Sequence, residues 1–185
     1  MNFYDRYTDA LEKVAGRAKN RKREERYAAA LKSPAETGFS TIPDFMRGGR
    51  KHLTPADVHK EYLKEHKEFR PMFALHTGDA LVSDYKNRHA ASGEAFEHHT
   101  KNQKKFERKA NSVLNRILPG GDMRSFIHSS DAMHHGSQAQ AHRDNYTRLG
   151  AQMDKHRREL LELDYSLDKD KRLALANAYM KKHFS

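Results

Sequence analysis

Mostly apolar side chains, with a few His and one Gln, recur at alternating spacings of three and four residues along two stretches in the second half of the chain. The first stretch contains Phe96, His99, Gln103, Phe106, Ala110, Val113 and Ile117. The second contains Ala139, His142, Tyr146, Leu149, Met153, His156, Leu160, Leu163 and Leu167. Heptad spacing of this kind predicts two long helices, each with one face lying along a neighbouring helix.

The connection between these two stretches is rich in Gly and Ser and includes Pro119-Gly120-Gly121, residues that end helices. We therefore expect an antiparallel hairpin, capped at Ser92, with Ile117 toward Ala139 and Phe96 toward Leu160. We call the heptad-spaced face of each predicted helix its seam. The competing interpretation is that either seam packs on a different chain.

The pattern divides the chain into four segments. Residues 1–33 are predicted as an amphipathic, basic helix, 34–53 as an extended arm, 54–92 as a short helix with an irregular region, and 93–185 as the hairpin with a C-terminal helix. Thr54, followed by Pro55 and Asp57, is typical of a helix start with a hydroxyl cap. Because the chain has 21 Ala and 15 Leu but only seven Ile and Val, we predict an all-α fold, not a compact globular enzyme domain.

The predicted arm has two prolines, three glycines and no helical or strand periodicity. A compact domain rarely carries a structureless connection of this length. It nevertheless contains apolar residues spaced like anchors along extended chain, which are Phe39, Ile42, Phe45 and Met46. This favours an arm laid on a neighbouring protein, with a solvated linker as the alternative.

Large apolar side chains are few. Leu, Ile, Val and Phe together number 31 of 185 residues, below the ~20% that usually accompanies an ordinary core. Little burial is then available to offset backbone ordering, on the order of 1–2 kcal/mol per residue. We therefore expect a partner to help order the chain.

A basic run, RAKNRKREER, interrupts the apolar face of the helix predicted over residues 1–33. Its cations are Arg17, Lys19, Arg21, Lys22, Arg23 and Arg26. With a net charge of +10, the chain favours polyanionic partners. The alternatives are an acidic protein surface, nucleic acid phosphates, a nuclear localisation signal, and a solvated face with local ion pairs such as Arg21 to Glu25. Membrane-surface attachment through this amphipathic helix also stays open.

A second basic cluster, KNQKKFERK, surrounds Phe106. Aromatic rings between cations are able to stack on bases. Because Phe106 falls on the seam, the favoured interpretation places its ring in the core and the lysines on the outer face.

Thirteen histidines raise the question of metal chemistry, and Asp131 precedes His134 at a helical ligand spacing. The second such pair that a di-metal bundle requires is missing. A nuclease site built from histidines would need a β-hairpin before its helix, and this region is predicted to be helical. His142 and His156 lie on the seam, where neutral imidazole packs and imidazolium would be desolvated. We therefore predict no metal or other cofactor, and helix contacts that weaken below a pH of about 6.5.

Known catalytic patterns are lacking in the sequence. It has no Gly-rich phosphate loop, no GxSxG motif and no cysteine. The apolar runs of the chain are also too short to span a membrane.

We therefore expect an intracellular, non-enzymatic accessory or structural subunit of a larger complex. It would bind protein partners through the arm and through Phe106, Leu149 and Leu160. Nucleic acid binding in a ribonucleoprotein or virion is the alternative.

Overall fold

A computed structural model describes residues 3–32, 54–64, 66–112 and 120–184, with the side chains of all but 3–15, 17, 61 and 62. Within these ranges the fold is all-α, without a strand. Its helices are α1 (Phe3–Leu31), a single turn α2 (Pro55–Asp57), α3 (Arg70–Ala110), α4 (Gly121–Tyr165) and α5 (Lys169–Phe184). A π-helical turn (Val58–Tyr62) follows α2, and a 3-10 turn (Lys67–Phe69) precedes α3.

The chain divides into two compact units. The first comprises residues 1–32 and 90–146, and the second comprises residues 33–89 and 147–185. Helices α3 and α4 each contribute one part to both units and run antiparallel within each. In the first unit the end of α3 meets the start of α4, since Ser125 Oγ donates to the carbonyl of Ala110 at 3.0 Å.

The second unit has an apolar core formed by α3, α4, α5 and the turns before α3. Its buried residues are Val58, Leu63, Phe73, Ala74, Leu160, Leu163, Ala176, Tyr179 and Met180. The close approach of α3 and α4 is visible at Gly78, where a Cβ would lie 2.5 Å from a methyl carbon of Leu160. Glycine at this position therefore permits the contact between α3 and α4.

The first unit uses small and polar side chains where α1, α3 and α4 meet. Ala30, Ala95 and Ser92 are at most 2% exposed. The amide of Asn145 donates to Ser92 Oγ and to the carbonyl of Ala30, each at 2.8 Å. Hydrogen bonds therefore join all three helices at one buried point.

Several sequence predictions are confirmed. The all-α hairpin is present, and the final helix buries Ala176 and Met180. Thr54 caps α2 in a capping box: its hydroxyl accepts from the Asp57 amide, and the Asp57 carboxylate accepts from the Thr54 amide.

The predicted helix limits and register were wrong. α3 begins at Arg70, not near Ser92, because Pro71 occupies a first-turn position that needs no amide donor. α4 begins at Gly121, so most of the predicted Gly/Ser-rich connection is helical. Leu160 consequently lies against Gly78 rather than Phe96. Ile117 lies outside the described residues, and Leu167 of the predicted seam is 99% exposed.

Candidate functional site

Five aromatic or imidazole rings meet where α1 crosses α3 and α4 in the first unit. This imidazole cluster consists of Tyr27 from α1, His98 and His99 from α3, and His135 and His142 from α4. Tyr27, His99 and His142 are 4%, 5% and 1% exposed. The cluster is therefore the main polar feature buried at the α1 junction.

The rings are arranged around His99. Its imidazole is stacked on that of His142, with centroids 5.7 Å apart and an interplanar angle of 8°. Its Nδ1 lies 3.0 Å from Nδ1 of His135. Tyr27 contacts His99 and His142 edge-on at 6.2 and 6.1 Å. One of the two facing Nδ1 atoms donates and the other accepts, so this contact requires that at least one ring is neutral.

Burial keeps these imidazoles uncharged. Desolvation lowers the pKa of His99 to about 4, and lowers the pKa values of His98, His135 and His142. The carboxylate of Glu24, which lies 3.3 Å from His98 Nε2, acts in the opposite direction without offsetting desolvation. Near neutral pH the cluster is therefore a set of neutral rings.

Charged groups on the surrounding helix faces complete its electrostatics. Arg23 lowers the pKa of His98 further, and His134 does the same for His135. Asp131 raises the pKa of His135, although less than desolvation lowers it. Among the described residues, no group of three or more His, Asp or Glu side chains is arranged to hold a metal ion. What the arrangement does show is that α1 packs on neutral imidazoles.

A second polar cluster lies inside the second unit, where α4 meets α5. His156 Nδ1 and the Tyr179 hydroxyl share a hydrogen bond of 2.8 Å, and the ring centroids of His156 and His183 are 4.2 Å apart. His183 Nε2 and Lys182 Nζ each lie 2.5 Å from a carboxylate oxygen of Glu159. Desolvation lowers the pKa of His156 to about 4 and raises that of Tyr179. Both groups are therefore neutral near pH 7.

The basic run lies on the last half of α1. Arg21 forms the predicted ion pair with Glu25 at 2.8 Å, Arg23 is half-buried and donates to Asn20, and Arg26 pairs with Glu94 of α3. Lys19 and Lys22 are exposed, and the side chain of Arg17 lies outside the described set. Among the described cations of the run, the arginines thus have partners on α1 or α3, and the two lysines are exposed.

The predicted partner-binding residues have different positions. Leu149 and Leu160 are 1% and 5% exposed, so a partner would reach them only if the helices separated. The Phe106 ring is stacked on His135 with centroids 5.5 Å apart, and so faces α4. Phe39, Ile42, Phe45 and Met46 lie outside the described residues, and their contact with a partner stays a prediction.

Sequence reasoning missed an exposed apolar surface on the first turns of α4. This apolar stripe consists of Met123, Phe126, Ile127 and Met133, which are 66%, 72%, 50% and 72% exposed. Phe126, Ile127 and Met133 follow Met123 by three, four and ten residues, so all four side chains lie on one face of α4. The same spacing is visible in the sequence, but it fell in the segment that was predicted to be a loop.

Comparisons with protein family models, with curated proteins and with solved structures give no match to this chain. No helix in the described part of the chain combines the length and apolar character needed to cross a membrane.

Proposed function

We propose that this protein is a non-catalytic accessory subunit of a larger assembly and binds a protein partner through the apolar stripe. The observation that carries the proposal is the exposure of four large apolar side chains on one face of α4. Patches of this kind on a folded chain are typical of protein-binding surfaces. Phe126, the one aromatic residue of the four and 72% exposed, is the expected anchor, because interface energy concentrates in a few large side chains.

The opposite face of the same helix supports this role. Ala132 and Ala139 are 6% and 5% exposed, and His135 packs on His99 of α3. The inward face is therefore already occupied, and the stripe is left on a helix whose position is fixed within the first unit. A preformed helix face binds with less conformational entropy lost than a segment that must fold on binding.

Sedimentation in nuclease-treated extract of the source cells tests the proposal. The wild-type chain is expected in fractions heavier than a protein of 21.4 kDa. Phe126→Ser with Met133→Ser removes two side chains of the stripe and is expected to return the chain to light fractions. The matched control is Leu161→Ser with Tyr165→Ser, which alters two exposed apolar residues of the same helix in the second unit.

The control chain should sediment with the wild type. A heavy Phe126→Ser/Met133→Ser chain would contradict binding through the stripe, as would equal loss in the control. Circular dichroism of the purified variants should show unchanged helix content, since all four altered side chains are exposed.

A further inference from the structure

An ion pair connects helix α1 to α3. It also shows which sides of the two helices face each other. Arg26 pairs with Glu94, and about one turn further along α3 the imidazole of His98 lies 3.3 Å from Glu24. Residue numbers fall along α1 as they rise along α3, so the helices are antiparallel. The sides that carry Arg26 and Glu94 are therefore the two walls of the groove between them.

Both walls continue with lysines. Lys22 and Lys19 precede Arg26 by four and seven residues, and therefore share its side of α1. Lys101 and Lys105 follow Glu94 by seven and eleven residues, and share its side of α3. Counting along both helices from the Arg26–Glu94 and Glu24–His98 contacts, at about 1.5 Å per residue, places Lys19 level with residues 101–103, and so level with Lys101. Lys22 lies level with residues 98–100, about one turn before Lys101 and Lys104. We call these four lysines, Lys19, Lys22, Lys101 and Lys105, the basic groove.

Like charges thus face each other across adjacent helices, whose axes pack about 8–10 Å apart. All four lysines are exposed, and none has an ion pair among the residues that the structure describes. The described acidic groups near the two walls are otherwise engaged or lie at the other end: Glu24 contacts His98, Glu25 pairs with Arg21, and Glu107 accepts from Gln103. Glu97 lies one turn before Lys101 on α3, but the two form no ion pair in the described part of the chain.

We infer that the basic groove binds the phosphate backbone of a double-stranded nucleic acid, without base recognition. A polyanion between the walls replaces lysine–lysine repulsion by attraction, and phosphate binding releases condensed counterions. Lysine suits this role because its ammonium group is a point charge without a fixed hydrogen-bonding geometry.

The surroundings of the groove favour a phosphate backbone over an acidic protein or single-stranded bases. Protein interfaces concentrate their energy in aromatic or apolar anchors, and single-strand binding uses exposed aromatic rings. Phe106 directly follows Lys105 in the sequence, but its ring is stacked on His135 and faces α4. Phosphate contacts need only cations, which is what these walls provide.

Fluorescence anisotropy with a labelled 20-base-pair duplex, as DNA and as RNA, tests this inference on the full chain. Four contacted phosphates predict a slope of log affinity against log salt near −3.6, or roughly a hundredfold weaker binding at 200 mM than at 50 mM salt. Lys101→Gln with Lys105→Gln should halve that slope, to about −1.8, and weaken binding at the lower salt concentration. Lys19→Gln with Lys22→Gln should do the same from the other wall.

The matched control is Lys86→Gln with Lys181→Gln, which removes two exposed lysines in the second unit. It should leave both slope and affinity unchanged. Equal weakening in the control would show a general charge effect and overturn the assignment. Binding to polyglutamate or anionic phospholipid vesicles without binding to either duplex would overturn it in favour of an acidic protein or a membrane surface.

The result is independent of the proposed protein contact. The Phe126→Ser/Met133→Ser chain keeps all four lysines and should bind the duplex like the wild type. Loss of duplex binding in that chain would contradict the basic groove as the site.

Discussion

The side-chain amide of Asn145 donates a hydrogen bond of 2.8 Å to the backbone carbonyl of Ala30, which lies 115 positions earlier in the chain. The carbonyl belongs to the last turn of α1. The same amide donates to Ser92 of α3. One buried side chain of α4 therefore satisfies acceptors on both neighbouring helices.

Replacing Asn145 with Ala is expected to lower the free energy of unfolding by about 1–3 kcal/mol, because buried acceptors lose their donor. Urea unfolding followed by circular dichroism measures this. Gln140→Ala is the control: its hydrogen bond to Asp144 is exposed and lies on the same helix, so a change below about 0.5 kcal/mol is expected. A stability of Asn145→Ala equal to that of the control would contradict the role of this contact.

Acid is expected to destabilise the fold through its buried imidazoles. Desolvation lowers the pKa of His99 and of His156 to about 4, whereas an unfolded histidine titrates near 6.5. Between these values the unfolded chain binds protons that the folded chain does not. The contribution of these neutral imidazoles to the free energy of unfolding is therefore fully present above pH 6.5. It is lost as the pH is lowered toward 4, by up to about 3 kcal/mol for each imidazole.

His156→Gln isolates one of these groups. Facing His156 are Tyr85, Tyr179, His183, Glu159, Lys155 and Lys182. The variant should make the decline of unfolding free energy between pH 6.5 and 4 shallower by up to about 1.4 kcal/mol per pH unit, the equivalent of one proton. His66→Gln, at an exposed position, is the control and should keep the wild-type slope. Equal slopes in the wild type and His156→Gln would show that His156 is already protonated in the fold.

The sequence predicted the helical class, the Thr54 cap and most of the seam, because these depend on local spacing and capping chemistry. His99, His142, Leu149, His156, Leu160 and Leu163 all fall on the predicted seam and are buried. The register could not be predicted in the same way. It depends on where the turn between α3 and α4 begins, and the glycines near that turn were interpreted as helix breakers.

Gly136 shows why that interpretation failed. It lies inside α4, and a Cβ there would be 3.3 Å from the side chain of Gln103 on α3. Gly93 is similar, with Tyr146 at 3.2 Å. These glycines mark close contact between helices rather than a loop. A count of large apolar residues also misses a core that is formed partly by Ala, Ser and His.

Two glycines should respond to alanine substitution with opposite signs. At Gly78 a Cβ would lie 2.5 Å from a buried methyl carbon of Leu160 and 2.8 Å from the Tyr179 hydroxyl, so Gly78→Ala should lower the unfolding free energy by about 1–3 kcal/mol. At Gly16 in α1 nothing lies within 4 Å. Gly16→Ala should stabilise the helix by about 0.5–1 kcal/mol through lower backbone entropy. Urea midpoints of both variants check the pair, and a stabilised Gly78→Ala would contradict the close approach of α3 and α4.

Tyr27 is expected to control whether α1 stays docked. Its ring is 4% exposed and contacts His98, His99 and His142, so truncation to Ala should cost about 3 kcal/mol of local stability. Trypsin cleavage at Arg21 or Lys22 requires local opening, and its rate follows the population of the open state. Tyr27→Ala should therefore be cut in α1 about a hundredfold faster. Tyr27→Phe keeps the ring and should be cut like the wild type. If cleavage within α4 accelerated equally, or if the Ala variant resisted trypsin as the wild type does, Tyr27 would not be the residue that holds α1 in place.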